Sequence, residues 1–266
     1  MVDEPGDPLE LSNFRAELHV HTVLSPCAGV EMIPPLIVRQ ALEAGINLIA
    51  ITDHNASANV AAVQQAACST PLTVLPGIEL QTREEVHLLG LFPDLEALAE
   101  FQAEVDIRMP DIENTPDFFG EQFIVDETGD FLRREPRLLI NSCQIDFDDA
   151  VTLIHDYRGL AIPAHIDRKS FGLFAQLGLV PIGVPLDAVE ISRRLSPAEA
   201  RKNYPDLRGL PLLQGGDVHH SGDFLGTNLF HMAAPSLAEI DLALRDSAGR
   251  GLQIVTGEAD NLHKDV

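Results

Sequence analysis

Basic residues are scarce in this 266-residue chain, where 18 lysines and arginines stand against 41 aspartates and glutamates, a formal charge of −23. That balance disfavours an anionic membrane or broad contact with nucleic-acid phosphates, so nucleic acid is not the expected partner. An anionic ligand then needs a local positive site, which a bound metal cluster can supply. Cysteine is scarcer still. Cys27, Cys68 and Cys143 are odd in number, lie far apart and form no CxxC pair, so neither a disulfide framework nor a zinc ribbon is indicated. Long apolar runs are absent, and the opening residues MVDEPGDPLELSNF lack both a basic flank and an apolar stretch, so the expected location is cytoplasmic. Against these shortages, 45% of residues are apolar, enough for a buried core, and a single domain spanning 1–266 is expected.

Periodicity predicts an alternation of strands and helices. It opens with a strand Ala16–Val20, a helix Pro34–Ala44 and a strand Ile46–Thr52. A helix Ala58–Ala67, strands Thr73–Leu80 and Val86–Phe92, and a helix Leu95–Val105 follow. Later elements are a helix Asp148–Asp156 and strands Leu160–Ala164, Ala188–Ile191, Leu210–Gln214 and Thr227–Met232. A helix Ser236–Arg245 and a strand Gly251–Thr256 close the series. The pattern indicates an α/β fold with a mainly parallel sheet, open or closed into a barrel. Residues 108–139 interrupt it with Pro110, Pro116 and Pro136 and read as an insertion. It contains a hairpin turned at Thr128-Gly129-Asp130, either a lid or structural padding.

The chain has ten histidines, and most sit where predicted strands end. In LHVHT, strand alternation points His19 and His21 to one side, so both imidazoles can grip one ion; alone, the pair also suits a polar strand edge. Asp53 and His54 follow the apolar run LIAI, where an α/β sheet presents functional groups, although Asp53 alone would as readily cap a helix. Glu79 and His87 lie on adjacent strands joined by a short polar turn, and a carboxylate can bridge two divalent ions. His165 in IPAHIDR and Asp217 and His219 in GGDVHH complete five strand-end clusters, which together point to a metal site.

The ordered motifs HVH, TDH, GIE with His87, PAH and GDVH resemble those of the PHP family, the polymerase and histidinol phosphatase superfamily, along nearly the whole chain. The resemblance implies a distorted (β/α)7 barrel, with residues 108–139 inserted, and two or three divalent ions, zinc, manganese or iron, at the carboxyl ends of its strands. By that resemblance His19, His21, Glu79 and Asp217 hold a first ion, and Glu79 bridges to a second that His87 and His165 complete. A third would rest on His54 and His219. Relatives place a further His or Asp in the stretch occupied here by TVLSPCAG, where Cys27 is the nearest candidate ligand or else a buried thiol.

Such a site suits metal-assisted phosphoester hydrolysis by an activated water, without a protein nucleophile. Asp53 would orient a ligand or accept a proton. Arg168 and Arg193 follow predicted strand ends and are the candidate phosphate contacts, with Arg83 and His220 weaker; each could equally be a surface ion pair. Arg133, Arg134 and Arg137 of the insertion read as solvated. The expected substrate is a small phosphorylated molecule such as a nucleotide or a histidinol-phosphate-like monoester. The alternatives are a phosphodiesterase or nuclease, and a metal-binding accessory protein with little turnover. Oligomeric state is not specified by the sequence.

Overall fold

The structure is a computed structural model that describes residues 10–207 and 209–255. The opening nine residues, and Thr256 at the end of the last predicted strand, lie outside the described residues. The first half runs β1 (Ser12–Val20), α1 (Pro34–Glu43), β2 (Leu48–Ile51), α2 (Val60–Ala67), β3 (Thr73–Gln81), β4 (His87–Leu91) and α3 (Leu95–Arg108). The interrupting segment contributes α4 (Pro116–Phe119), β5 (Phe123–Val125) and β6 (Phe131–Arg134). After it come α5 (Phe147–Asp156), β7 (Leu160–Pro163), α6 (Leu173–Gln176), β8 (Val189–Ser192) and α7 (Pro197–Asn203). β9 (Leu212–Gly215), β10 (Asn228–Met232), α8 (Leu237–Leu244) and β11 (Gly251–Ile254) end the series.

Seven strands form one sheet in the order β11-β10-β1-β2-β3-β4-β7, and β8 pairs with β9 separately. The parallel runs are β1-β2-β3 and β8-β9, whereas β4 is antiparallel to both neighbours and β10 to β1 and β11. The short 82–86 connection accounts for the reversal at β4, because a parallel crossover needs a dozen residues or more. Backbone hydrogen bonds from Ile166 to Glu190 and from Asp187 to Ala161 tie β7 to β8. On the far side, Val218 donates to the carbonyl of His19 and accepts from His21. β8 and β9 therefore sit between β7 and β1, and the strands curl into a distorted barrel.

Strand alternation divides the core in two. Leu48 and Ala50 join Leu18, Leu75, Leu89, Ile162 and Leu213, while Ile49 and Ile51 face the outer layer with Val63 of α2, Phe101 of α3 and Phe147 of α5. Buried on both faces, β2 reads as the unbroken apolar run LIAI. Each such large side chain contributes roughly 1.5–3 kcal/mol on burial. No helix among the described residues is long and apolar enough to cross a membrane.

The 108–139 segment forms the expected hairpin. Asp126 Oδ1 accepts from Thr128 and Asp130, and Gly129 takes φ +87°, a left-handed turn position suited to glycine. The hairpin docks on the loop after β1: Phe123 N–H donates to the Val23 carbonyl, and the Asn59 amide bonds both Phe123 and Val125.

Candidate metal centre

The topology brings every chemically equipped strand end to one rim. β1, β2, β7 and β9 lead at their carboxyl ends into His21, Asp53-His54, His165 and Asp217-His219. β4 runs the opposite way, so its first residue, His87, lies beside Gln81 at the end of β3. Two of these positions adopt left-handed backbone, His165 at φ +29° and Asp217 at φ +48°, as does Asn55 directly after His54 at φ +50°. Such conformations cost on the order of 1–3 kcal/mol each and concentrate at functional sites.

Glu79, fully buried on β3, is the centre of the cluster. Its Oε1 lies 2.9 Å from His87 Nδ1, 3.1 Å from His19 Nε2 and 3.3 Å from His165 Nε2. Its Oε2 lies 2.9 Å from His54 Nδ1 and 3.3 Å from His21 Nε2. Asp217 Oδ1 is 3.2 Å from both His19 Nε2 and His21 Nε2, which themselves stand 3.1 Å apart. Ligand atoms thus gather in three overlapping groups: His19, His21, Glu79 and Asp217; His54, Glu79 and His87; and His21, His54 and His219. His165 adjoins the second through Glu79.

The ring tautomers can be read from the partners behind them. Ser25 Oγ donates to Asp53 Oδ1 at 2.7 Å, so it can only accept from His21 Nδ1–H at 2.9 Å. His219 Nδ1–H donates to the Asp217 carbonyl at 2.9 Å. His19 Nδ1 lies 2.9 Å from Glu190 Oε1. In the neutral form of each ring Nε2 is left as a lone pair directed at the cluster. Both Glu79 oxygens, Asp217 Oδ1, His54 Nδ1, His87 Nδ1 and His165 Nδ1 are buried without a well-aligned hydrogen bond. Converging lone pairs and orphaned carboxylate oxygens fit divalent cations, which would satisfy them together.

The electrostatics agree. Burial opposes ionisation of Glu79, yet His87, His19 and His54 hold its carboxyl well below the usual range. Burial pushes His87 down to about 4 and His219 to about 3, so both are neutral at physiological pH, the form in which an imidazole can bind a cation.

Asp53 lies behind this layer, fully buried, accepting from Thr22 N–H and Thr22 Oγ1 as well as Ser25, each at 2.7 Å. Cys27 is exposed on the rim beside His54 and belongs to none of the three groups. The cluster opens into a cleft of about 950 Å3 that Cys27, Asp217 and His219 share with Arg168, Lys169, Arg193 and Arg194. Arg168 Nη1 is 2.5 Å from Asp217 Oδ2, and Arg193 donates to the carbonyls of Gly216 and Asp223 at 2.7 and 2.6 Å. Lys169 and Arg194 are exposed and make no ion pair among the described residues.

Other candidates lie elsewhere. Arg83 binds Asp146 and the Gln144 carbonyl, and His220 turns to Glu31. Arg133, Arg134 and Arg137 pair with Glu135, Glu121 and Asp106. Sequence reasoning passed over Ser25, Thr22 and Glu190. Only Glu190 carried a signal, a charged residue inside the apolar strand VEIS.

Over 108 residues the chain is 32% identical to the 5'-3' exoribonuclease Rnm of Salmonella typhimurium, covering 37% of this chain and 36% of that protein. It thus spans little more than a third of the length of this curated relative. Among solved structures, the lesion-specific endonuclease Q of Pyrococcus furiosus superposes with a TM-score of 0.68 at 18% identity, covering 91% of this chain and 58% of that one. Endonuclease Q in complex with a 27-mer duplex substrate carrying an abasic lesion gives 0.66 at 17% identity, with 91% and 58% covered. At such identities these two likenesses show the fold. Residues 17–173, which carry His19 through His165, match the PHP domain, and the chain belongs to that family.

Proposed function

We propose that this chain is a metal-dependent phosphoesterase that cleaves phosphodiester links in a nucleic-acid strand. The observation that carries the reading is the placement of the buried His/carboxylate cluster at the floor of a cleft walled by Lys169 and Arg194, with Arg168 and Arg193 beside them. Two nucleases among the similar proteins support the same substrate class. This reading departs from the expectation drawn from net charge. The value of −23 averages over the whole chain, whereas four of its 18 basic residues line this one cleft. It also replaces the small-molecule monoester as leading substrate.

Zinc, manganese or iron suits a donor set of imidazoles and carboxylates. The ions would be held by His19, His21, Glu79 and Asp217, by Glu79 with His87 and His165, and by His54 with His219. When bound, they supply Lewis-acid polarisation of the phosphoryl group and lower the pKa of water. Glu79 and Asp217 supply the negative charge that retains the cations. Asp53 acts through Ser25 to fix the His21 tautomer; with its oxygens engaged by Thr22 and Ser25, its role is orientation. Arg168 and Arg193 are anchored at the cleft edge, and Lys169 and Arg194 are free to meet flanking phosphates.

The test supplies 5'-labelled single-stranded RNA and DNA, an abasic-site duplex and a panel of phosphorylated metabolites, with Mn²⁺, Zn²⁺ or Fe²⁺ against a chelated control. Metal-dependent shortening of the oligonucleotides, abolished in His165→Ala, is the expected result. Arg194→Ala and Lys169→Ala should raise KM for oligonucleotides several-fold while leaving hydrolysis of bis(p-nitrophenyl) phosphate unchanged. Phosphate release from metabolites with every oligonucleotide intact would return the protein to the monoesterase class.

A further inference from the structure

Glu190 is a carboxylate where strand pattern would place an apolar side chain. It sits in β8 between Val189 and Ile191 and is 2% exposed. One oxygen, Oε1, meets His19 Nδ1 at 2.9 Å and accepts from the His165 backbone N–H at 3.1 Å. Its own carbonyl accepts from Ile166 N–H at 2.9 Å. Glu190 thus grips both β1 and the segment after β7, two elements that bring histidines to the same Glu79 oxygen, Oε1. The left-handed backbone at His165, φ +29°, lies within that grip.

Room for this side chain is made by a neighbour. A Cβ on Gly215, at the end of the paired strand β9, would overlap the Glu190 carboxyl group. Gly215 does not have positive φ, so conformational freedom is not what the position requires. What it requires is the absence of a side chain. Gly215 and Glu190 therefore form a matched pair, the glycine admitting the carboxylate and the carboxylate setting the histidine.

We infer that Glu190 is a positioning residue for the metal centre, holding His19 as the Nδ1–H tautomer with Nε2 presented to the cation, and that Gly215 is the position that lets it do so. The inference rests on the metal-centre reading of the proposed function. A histidine ligand whose far nitrogen donates to a carboxylate is fixed in orientation and made more basic, and losing such a partner typically weakens metal affinity by about 10- to 100-fold.

The experiment measures Zn²⁺ affinity and stoichiometry by calorimetry on the full chain, with circular dichroism to verify folding and nitrogen-15 NMR to assign the His19 tautomer. Glu190→Ala should weaken Zn²⁺ binding about 10- to 100-fold and, in the metal-free protein at alkaline pH where the ring is neutral, leave His19 a mixture of tautomers. Glu190→Gln keeps an acceptor toward Nδ1 and should recover most of that loss. Gly215→Ala should weaken binding in the native background and add nothing further in the Glu190→Ala background, because the overlap it creates is with Glu190 itself. Glu190→Gln and Gly215→Ala introduce no large buried cavity and carry the test should Glu190→Ala not fold. Unchanged Zn²⁺ affinity in folded Glu190→Ala or Gly215→Ala, or an equal effect of Gly215→Ala in both backgrounds, overturns the inference alone. Failure of the unsubstituted chain to take up Zn²⁺ overturns it together with the metal-centre reading.

Discussion

Glu79 faces five imidazoles at 2.9–3.3 Å from a fully buried position, with no well-aligned hydrogen bond to either oxygen. A carboxylate so placed is the anion that the two proposed cation positions would share. Glu79→Gln puts an amide N–H₂ against imidazole nitrogens and removes the charge. Its expected outcome is a metal content well below that of the unsubstituted protein and a fall in turnover on the order of a thousand-fold, since metal electrostatics supply several kcal/mol of catalysis. Elemental analysis and oligonucleotide cleavage check this. Asp53 gives a different outcome, because it supports the centre from behind. Asp53→Ala strands the donors of Thr22 N–H, Thr22 Oγ1 and Ser25 Oγ in a buried layer. The expected cost is roughly 2–4 kcal/mol, read from urea denaturation, with loss of the single His21 tautomer. The front layer of this site was legible in the sequence because strand alternation and strand-end placement leave a pattern: His19 and His21 two apart, Asp217 and His219 two apart. The supporting layer was not. Ser25 and Thr22 are ordinary hydroxyl residues in a loop, and their partner Asp53 is about 30 positions away, so nothing local marks the contact.

At the scale of elements, Asn59 couples three segments. Its amide nitrogen donates to Thr22 Oγ1 at 2.9 Å and to the Phe123 carbonyl at 3.0 Å, while its oxygen accepts from Val125 N–H at 3.0 Å. The β5–β6 hairpin is thereby joined to the start of α2 and to the loop that carries Ser25. Asn59→Ala should destabilise the chain by roughly 2–4 kcal/mol and expose the hairpin between Asp126 and Arg134 to protease before the barrel. Limited proteolysis with mass spectrometry reads the order of cuts; cleavage in the barrel first would show that the hairpin is held by other contacts. Most regular elements could be read from periodicity, with ends displaced by one or two residues, except that β1 begins four residues earlier and α3 runs three residues further than the apolar pattern indicates. The hairpin was legible from Thr128-Gly129-Asp130, where turn chemistry is local. The two short helices after β7 were missed. α6 buries little beyond Leu173, too short a stretch to show a period, whereas Ser196, Pro197 and Glu199 at the start of α7 form a capping box whose spacing was available. Strand direction was partly hidden: apolar content marks β4 and β10 as strands, and only connection length separates an antiparallel neighbour from a parallel one.

For the molecule as a whole, the metal centre links folding to pH. Burial works against a charged His21, but the carboxylates of Asp217 and Glu79, 3.2 and 3.3 Å from its Nε2, outweigh it and lift the ring to about 9 in the metal-free protein. His54 also reaches about 9 against burial, through Glu79 and Cys27, and His19 is raised well above its usual value, against burial, by Glu79, Glu190 and Asp217. A folded-state value above the unfolded one means that the folded chain holds protons the unfolded chain has released. The resulting stability is fully present below pH 6.5 and is lost as pH rises through about 9. Other shifted groups stay largely out of this window. His87 and His219, pushed down by burial to about 4 and about 3, titrate below it. Glu17, raised to about 7 chiefly by burial, acts mainly between 4.5 and 7, where its ionisation also removes stability as pH rises. Cations must displace the protons on the raised histidines, so metal competes with more bound protons at pH 6.5 than at pH 9. The chelated protein is therefore expected to melt at a temperature several degrees lower at pH 9 than at pH 7, while the rise in Tm on adding Zn²⁺ or Mn²⁺ grows over the same interval. Calorimetric scans at pH 7, 8 and 9, with chelator and with metal, make the comparison. A flat chelated profile, or a metal increment that shrinks with pH, would mean that Glu79 and Asp217 hold no protons on these rings before the cations arrive.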